Sequence, residues 1–151
     1  EFAQRSIDMR VILAIGASLS LGFALQKTGL ADMAAQGIMS LADGNPYLNL
    51  LLLYLVTVAA TELITNNAAA VLMFPIAQAL STELDVSLLP FVMTIMFAAS
   101  ASFLTPFGYQ TNLMVQGPGG YQFFDYCRVG ILLSLLVGMV VIFLVPVIWP
   151  F

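Results

Sequence analysis

The sequence predicts an all-α integral membrane protein, and three observations lead to that class. Hydrophobic residues make up 61% of the 151 residues and charged residues only 8%, whereas a soluble domain carries about 25% charged residues. Long hydrophobic stretches are present, and at about 1.5 Å of rise per residue they suit membrane helices. Short polar clusters interrupt two of these stretches. The interruptions predict a re-entrant helical hairpin and a discontinuous helix, because non-helical backbone at membrane depth is tolerated where it lines a cavity.

Composition also argues against several functions. The net charge is −4 with only four Lys and Arg residues, so we expect no nucleic-acid partner. The chain has no His, and it offers no acid pair or Ser–Lys dyad, so we do not expect an enzyme. Its single cysteine, Cys127, excludes an internal disulfide and a Cys-rich metal site.

The first third of the chain predicts one crossing and one surface helix. The apolar stretch 9–26 is long enough to span, and Gly29 suits the position just after a helix. The segment 31–41 is amphipathic and too polar to span, so we predict that it lies along the membrane interface. A turn follows at 43–46, with Pro46 at the start of the next helix.

The central polar cluster predicts the hairpin. Glu62 is the only charged residue between positions 43 and 83, and Thr65, Asn66 and Asn67 follow it closely. We interpret these three residues as the tip of a re-entrant hairpin that covers about 46–82. The arm after the tip, 68–80, is only about 20 Å long as a helix, which is shorter than the roughly 30 Å of a hydrocarbon core. Two full crossings would also return the chain to the same face of the membrane. Only the short length of the second arm therefore favours the hairpin.

A second interruption divides the next apolar region. Residues 88–104 are apolar, and 105–112 contain a proline, a glycine and several polar side chains. We therefore predict a discontinuous helix over about 87–116, with a glycine-rich loop at 116–120. The last membrane helix is predicted at about 126–148, closed by Pro146.

The charges fit one topology. The basic residues of this layout fall on one face, which the positive-inside rule makes cytoplasmic, with Lys27 as an exception. The acidic residues outside the hairpin tip fall on the opposite face, toward which the hairpin opens. The basic residues are Arg5, Arg10 and Arg128, and the acidic residues are Asp32, Asp43, Glu83 and Asp85.

Two interrupted helices with polar breaks are typical of a transporter's binding site. A broken helix presents N–H groups at one end, which attract anions, and carbonyl oxygens at the other, which suit a hard cation such as sodium. Alternatively, the polar residues of the tip only cap two half-helices. Glu62 is a candidate to relay protons, to bind a cation or to pair with a hydroxyl or backbone amides, and its place before the tip favours pairing. Tyr109 and Gln110 are candidates to line the second break, or Tyr109 packs as an interfacial aromatic.

Both breaks resemble those of one transporter family. The segments 61–70 and 74–76 resemble the outward-facing hairpin of the divalent anion:sodium symporter family, which includes citrate, dicarboxylate and sulfate carriers. The family's tip motif is Ser-Asn-Thr, and Thr65, Asn66 and Asn67 stand at its positions. The segment 104–112 is similar to the family's second break, and 117–121 with the last helix resembles its sulfate-permease-like branch.

The resemblance implies secondary active transport of a divalent anion, sulfate-like or a di- or tricarboxylate, coupled to sodium by alternating access. It implies no resident cofactor, with sodium only as the coupling ion. The implied sodium ligands are Thr61, the carbonyl of Ile64, Asn66 and the carbonyl of Gly108. The anion would meet the two breaks at Thr65, Asn66, Asn67, Tyr109, Gln110, Thr111 and Asn112.

The resemblance also implies that residues 1–151 are the C-terminal one of two inverted repeats. Since the chain opens without Met, we expect an excerpt of a longer protein, with the N-terminal repeat of that protein as a partner. We further expect a multi-pass homodimer in the lipid bilayer of the plasma membrane, which is the inner membrane in a bacterium. The alternatives are an anion channel, which uses similar helix dipoles, and a structural membrane subunit that does not transport.

Overall fold

The computed structural model describes residues 9–151, and residues 1–8, which include Arg5, lie outside the described residues. The side chains of residues 9–12, 14, 15, 18 and 110 are also not described. Over residues 9–151 the chain forms seven α-helices and no strand, which confirms the all-α prediction for this part. The helices are α1 (Met9–Lys27), α2 (Leu30–Ala42), α3 (Pro46–Thr61), α4 (Asn66–Glu83), α5 (Leu89–Ser100), α6 (Gln110–Gly119) and α7 (Phe123–Ile148).

The first turns of the fold form where the sequence predicts them. Gly29, between α1 and α2, has a φ of 74°, a left-handed conformation that glycine adopts without strain. Asn45 caps α3, because its side-chain oxygen accepts a hydrogen bond of 3.0 Å from the backbone N–H of Tyr47. Pro46 occupies the first turn of α3, where its missing N–H has no helical partner to lose. The helix α2 buries one face, and its position at a membrane interface stays a prediction.

The second arm of the predicted hairpin is longer than the sequence suggested. The helix α4 has 18 residues and contains the buried Pro75, so it is about 27 Å long rather than about 20 Å. Thr65 caps it at one end, and at the other the hydroxyls of Ser81 and Thr82 both donate to the carbonyl of Gln78. The proline removes one helical hydrogen bond, but α4 packs against α1, α2, α3 and α5. The re-entrant path of the hairpin stays a prediction.

The second interruption begins at an earlier residue than predicted, and the helix that follows it extends further than predicted. The helix α5 stops at Ser100, so irregular backbone starts at residue 101 rather than at 105. The prediction of a glycine-rich loop at 116–120 is wrong for 116–119, because α6 continues to Gly119 with Pro118 inside it. Gly120, with a φ of 64°, ends that helix, and the N–H of Tyr121 donates back to the carbonyl of Gln116.

The helix α7 is long and apolar enough to cross a membrane by length and composition, since its 26 residues include an 18-residue stretch with a mean hydropathy of 3.1. It begins at Phe123 because Gln122 and Asp125 form a reciprocal capping box. It continues through Pro146 to Ile148, so the proline lies inside the helix rather than closing it. Within residues 9–151, α3 and α5 are shorter apolar helices of 16 and 12 residues.

The helix α4 is central to the packing. It contacts α1, α2, α3 and α5, while α3 also packs against α5 and α7. Two clusters of buried apolar residues result, one around α4 and one between α3, α5 and α7. This packing places the loop between α3 and α4, residues 62–65, against the irregular segment 101–109. We call these two segments the tip loop and the second break.

Candidate functional site

The tip loop connects two helix ends of opposite polarity. Thr65 is the N-cap of α4, and its hydroxyl accepts a long hydrogen bond of 3.4 Å from the N–H of Ala68. Asn66 and Asn67 therefore belong to the first turn of α4 rather than to the loop itself. The first N–H groups of a helix have no partner within it, and the helix dipole is positive there. The start of α4 is thus suited to an anion.

The C-terminal ends of α3 and α5 meet at Thr61. This buried side chain has its Oγ1 2.7 Å from the carbonyl oxygen of Ala99 and 3.0 Å from Oδ1 of Asn66. A threonine hydroxyl carries one proton, so it can donate to only one of these two oxygens at a time. Rotation of the Asn66 amide by 180° would place its N–H₂ group there instead. Oxygen atoms and two helix C-termini therefore converge on one point, which favours a cation.

Glu62 joins the tip loop to the second break. The residue is only 9% exposed. One carboxylate oxygen accepts a hydrogen bond of 2.8 Å from the N–H of Leu104. The other accepts from the N–H of Thr105 at 2.9 Å and from its hydroxyl at 2.7 Å. The pairing with backbone amides and a hydroxyl that the position of Glu62 favours is therefore confirmed.

Gly108 lies against the same carboxylate. Its N–H donates to the hydroxyl of Thr105 over 3.1 Å, which extends the contact from Glu62 along the second break. A Cβ atom at Gly108 would lie 2.6 Å from Oε2 of Glu62 and would overlap the hydroxyl of Ser102. The close approach of three chain segments at this point therefore requires glycine.

Asn112 holds the second break together from α6. Its side-chain N–H₂ group donates to the carbonyls of Ser102 and Thr105, both over 3.1 Å. The carbonyl of Asn112 accepts a hydrogen bond of 2.9 Å from the hydroxyl of Tyr126 in α7. The thiol of Cys127, which is half-buried, contacts the carbonyl of Leu104 at 3.3 Å. These contacts fix the second break between α6 and α7.

The residues implied by the family resemblance divide into an internal and an exposed group. Thr61, Asn66, Gly108 and Asn112 are buried or half-buried and join the network around the two breaks. The remaining side chains lie at the surface of the described residues, except that the side chain of Gln110 is not described. The exposed residues are Ile64, Thr65, Asn67, Tyr109 and Thr111.

The start of α6 resembles the start of α4 in its chemistry. Tyr109 is its N-cap residue and supplies no side-chain hydrogen bond to the helix. The first N–H groups of α6, at Gln110 and Thr111, are therefore not capped by that residue. Two helix N-termini thus flank the contact between the tip loop and the second break.

Sequence reasoning missed two residues of this network. Ser102 donates to the carbonyl of Thr61 over 3.4 Å and touches Gly108, and Thr105 bonds both Glu62 and Gly108. The sequence predicts Ser102 within a helix, because the apolar run around it conceals the end of α5. A hydroxyl residue directly after three small residues at the end of an apolar run was the available signal.

Over residues 9–151, a helical fold with two such breaks and an apolar 26-residue helix is typical of a membrane transporter, and the comparisons with known proteins agree. The model of the citrate transporter family matches residues 1–151. The chain therefore belongs to the citrate transporter family, which is a family of transporters and not of enzymes.

Individual relatives cover the same region. The chain is 37% identical over 152 residues to an uncharacterized transporter of Escherichia coli (strain K12), a match that covers 100% of this chain and 25% of the relative. It is 41% identical over 148 residues to an uncharacterized transporter of Synechocystis sp., covering 95% and 24%. It is 37% identical over 130 residues to a probable sodium/sulfate cotransporter of Chlamydomonas reinhardtii, covering 85% and 14%. The chain thus spans a quarter or less of the length of these relatives.

Proposed function

We propose that this chain forms part of a sodium-coupled transporter of a divalent anion, either sulfate-like or a di- or tricarboxylate. The observation that carries the proposal is the meeting of α3 and α5 at their C-terminal ends, directly beside the N-terminus of α4. A cation site and an anion site at neighbouring helix ends give a physical basis for coupling the two ions. The family and the sodium/sulfate cotransporter among the relatives support this class of cargo.

The sodium site in this proposal lies at Thr61, Asn66 and Gly108, with the carbonyl of Ile64 as a further ligand. Hydroxyl, amide and carbonyl oxygens are the neutral ligands that a hard monovalent cation takes. The contacts of Thr61 support it, because its buried hydroxyl lies 2.7 Å from the carbonyl oxygen of Ala99 and 3.0 Å from the side-chain amide of Asn66, at the C-terminal ends of two helices.

The anion site in this proposal lies between the starts of α4 and α6. N–H groups at a helix start bind a doubly negative oxyanion without a basic side chain. In this proposal the side chain of Asn112 does not contact the anion. It holds the second break in place, because its amide hydrogens already bond the carbonyls of Ser102 and Thr105. The remaining candidate ligands are Thr65, Asn66, Asn67, Tyr109, Gln110 and Thr111.

The proposal places this unit in a larger protein. The tip loop and the second break move together and expose the site to each side of the membrane in turn. A second, inverted repeat supplies the other half of the site, and the complete protein is a multi-pass homodimer of the plasma membrane. This chain matches only a quarter or less of each of these relatives, so the relatives contain further segments.

The experiment that tests the proposal changes Asn66, the residue shared by the two sites. Asn66→Ala removes a donor and an acceptor and leaves their partners unpaired, a loss of about 1–3 kcal/mol, or roughly fivefold to more than a hundredfold in affinity. In the full-length protein in proteoliposomes, the half-saturation concentrations for sodium and for sulfate or citrate should both rise. Radiolabelled anion uptake across both concentration series measures them.

Asn45→Ala is the matched control, because Asn45 also stands at a helix start but lies exposed before α3. It should lower stability by about 1 kcal/mol through loss of the cap, with both half-saturation values unchanged. If Asn66→Ala behaves like this control, the tip is only a cap. Flux that does not saturate and ignores sodium would instead indicate an anion channel.

A further inference from the structure

Glu62 is a buried carboxylate to which neither ion site assigns a role. In a membrane protein a buried charge without a basic partner is retained only where it has a function or a complete set of hydrogen bonds. Glu62 has three donors, at 2.7–2.9 Å, and all three are neutral groups of Leu104 and Thr105. These hydrogen bonds satisfy both carboxylate oxygens. None of the three donors carries a positive charge that would offset the negative charge of Glu62.

The position of this charge is fixed on both sides. Glu62 directly follows Thr61, whose hydroxyl joins the ends of α3 and α5. Gly108 touches the carboxylate so closely that no side chain fits there, and its N–H is tied to Glu62 through the hydroxyl of Thr105. One carboxylate thus sets the distance between the tip loop and the second break.

We propose that Glu62 is a positioning residue for the sodium site, which it serves without contacting the ion. It holds Gly108 of the second break against the residue that follows Thr61, and its charge lowers the electrostatic energy of a cation beside it. The inference rests on the proposed function, because it requires a cation at this place. A carboxylate that binds a metal directly both contacts the ion and supplies negative charge. In this proposal Glu62 supplies the charge without the contact.

The same geometry assigns Glu62 a second effect, on the anion. Successive backbone N–H groups, such as those of Leu104 and Thr105, form a concave site that attracts anions. Glu62 occupies these two groups with a carboxylate of the chain itself. While Glu62 holds these two N–H groups, a substrate anion cannot bind them.

Glu62→Gln tests this inference because it removes the charge and keeps the shape. In proteoliposomes with the full-length protein, the sodium half-saturation value for sulfate uptake should rise by about tenfold or more, as is usual when a residue behind a metal ligand is changed. At saturating sodium, the sulfate half-saturation value should change less than about threefold, since the anion then meets a completed cation site. Sodium-dependent thermal stabilisation of the purified variant should shift in parallel.

Glu83→Gln is the matched control, since it makes the same chemical change at an exposed residue at the far end of α4. It should leave the sodium dependence unchanged. If Glu62→Gln lowers only the amount of inserted protein or the maximal rate, with the wild-type sodium dependence, Glu62 is merely structural and the inference is wrong.

Thr105→Val provides the decisive variant if Glu62→Gln fails to insert. It removes one donor to the carboxylate and the acceptor of the Gly108 N–H, and it keeps the charge and both backbone bonds. The sodium half-saturation value should rise, by less than for loss of the charge. An unchanged value overturns the inference, whereas wild-type uptake of sulfate or citrate that shows no sodium dependence overturns the proposed function itself.

Discussion

Gly130 is the residue at which α7 approaches the second break most closely. A Cβ atom there would overlap the carbonyl oxygen of Phe103 and would lie 2.6 Å from its carbonyl carbon and 3.0 Å from Cα of Leu104. These are backbone atoms, which cannot rotate away. Gly130→Ala should therefore lower the free energy of unfolding by about 1–3 kcal/mol, as overpacking does in a well-packed interior. Thermal unfolding in detergent measures the effect.

Gly37→Ala is the control for this residue. Gly37 lies within α2, and no atom approaches an added Cβ within 4 Å. Alanine should stabilise that helix by up to about 1 kcal/mol, since glycine is the poorer helix former. Equal melting temperatures for the two variants would show that α7 is free to move away from the second break.

Single residues were predictable where chemistry alone marks them. Asn66 and Glu62 stand out because an amide and a carboxylate are expensive at membrane depth. The partners of Glu62 were not predictable, since Leu104 and Thr105 are about forty positions away and offer mainly backbone groups, which every residue has. Ser102 was not predictable either, because only packing shows where α5 ends.

At the scale of elements, the hairpin of α3 and α4 makes the sharpest prediction. With 16 and 18 residues, the two helices are about 24 and 27 Å long, close to but below the roughly 30 Å of the hydrocarbon core. These lengths weaken the argument from a short second arm, so the position of the tip decides between the two paths. In the re-entrant path that we predict, the tip should stay away from the cytoplasmic surface. Leu63, which is 87% exposed in the tip loop, reports its position.

The measurement is labelling of a cysteine at Leu63, in a protein with Cys127 replaced by Ser. A maleimide on a polymer too large for a cavity should react from the cytoplasmic side much more slowly than with a cysteine at the exposed Gln122. Cysteines at Asp43 and Glu83 should both react from the outside. Equal rates at Leu63 and Gln122 would instead show two full crossings.

Helix boundaries followed the sequence where capping residues set them, and departed from it where packing did. Pro46 begins α3 as predicted. In contrast, Pro75 and Pro118 lie inside helices that composition alone would end. A proline in a helix interior costs about 3 kcal/mol, and for Pro75 the contacts of α4 with four other helices act against this cost.

At the scale of the whole molecule, the described residues form a unit with a large apolar surface. Apolar side chains on both α1 and α7 are strongly exposed, among them Phe23 at 70%, Phe143 at 69% and Val147 at 78%. Lipid or further protein covers such a surface in a membrane protein. The membrane class followed from composition and the family from two short motifs, whereas the order of helices around α4 required the structure.

The isolated chain should insert into a membrane without transporting. Reconstituted residues 1–151 have one tip loop and one second break, which in the proposed function form only half of a site made by two repeats. Sodium-driven uptake of radiolabelled sulfate should therefore be at background in these vesicles, with the full-length protein as the positive control. Uptake above background by the chain alone would mean that a single unit completes the site.

The carboxylate of Glu62 also has a consequence for membrane voltage. Its three donors are neutral, so in the proposed cycle its negative charge travels with the tip loop whenever that loop changes sides. Moving one elementary charge through the whole field involves about 2.3 kcal/mol per 100 mV. In the proposed cycle the unloaded unit therefore carries a charge of its own, and we expect its return step to depend on voltage. A sodium ion bound beside Glu62 would offset that charge, so the membrane potential would drive the empty and the loaded steps differently.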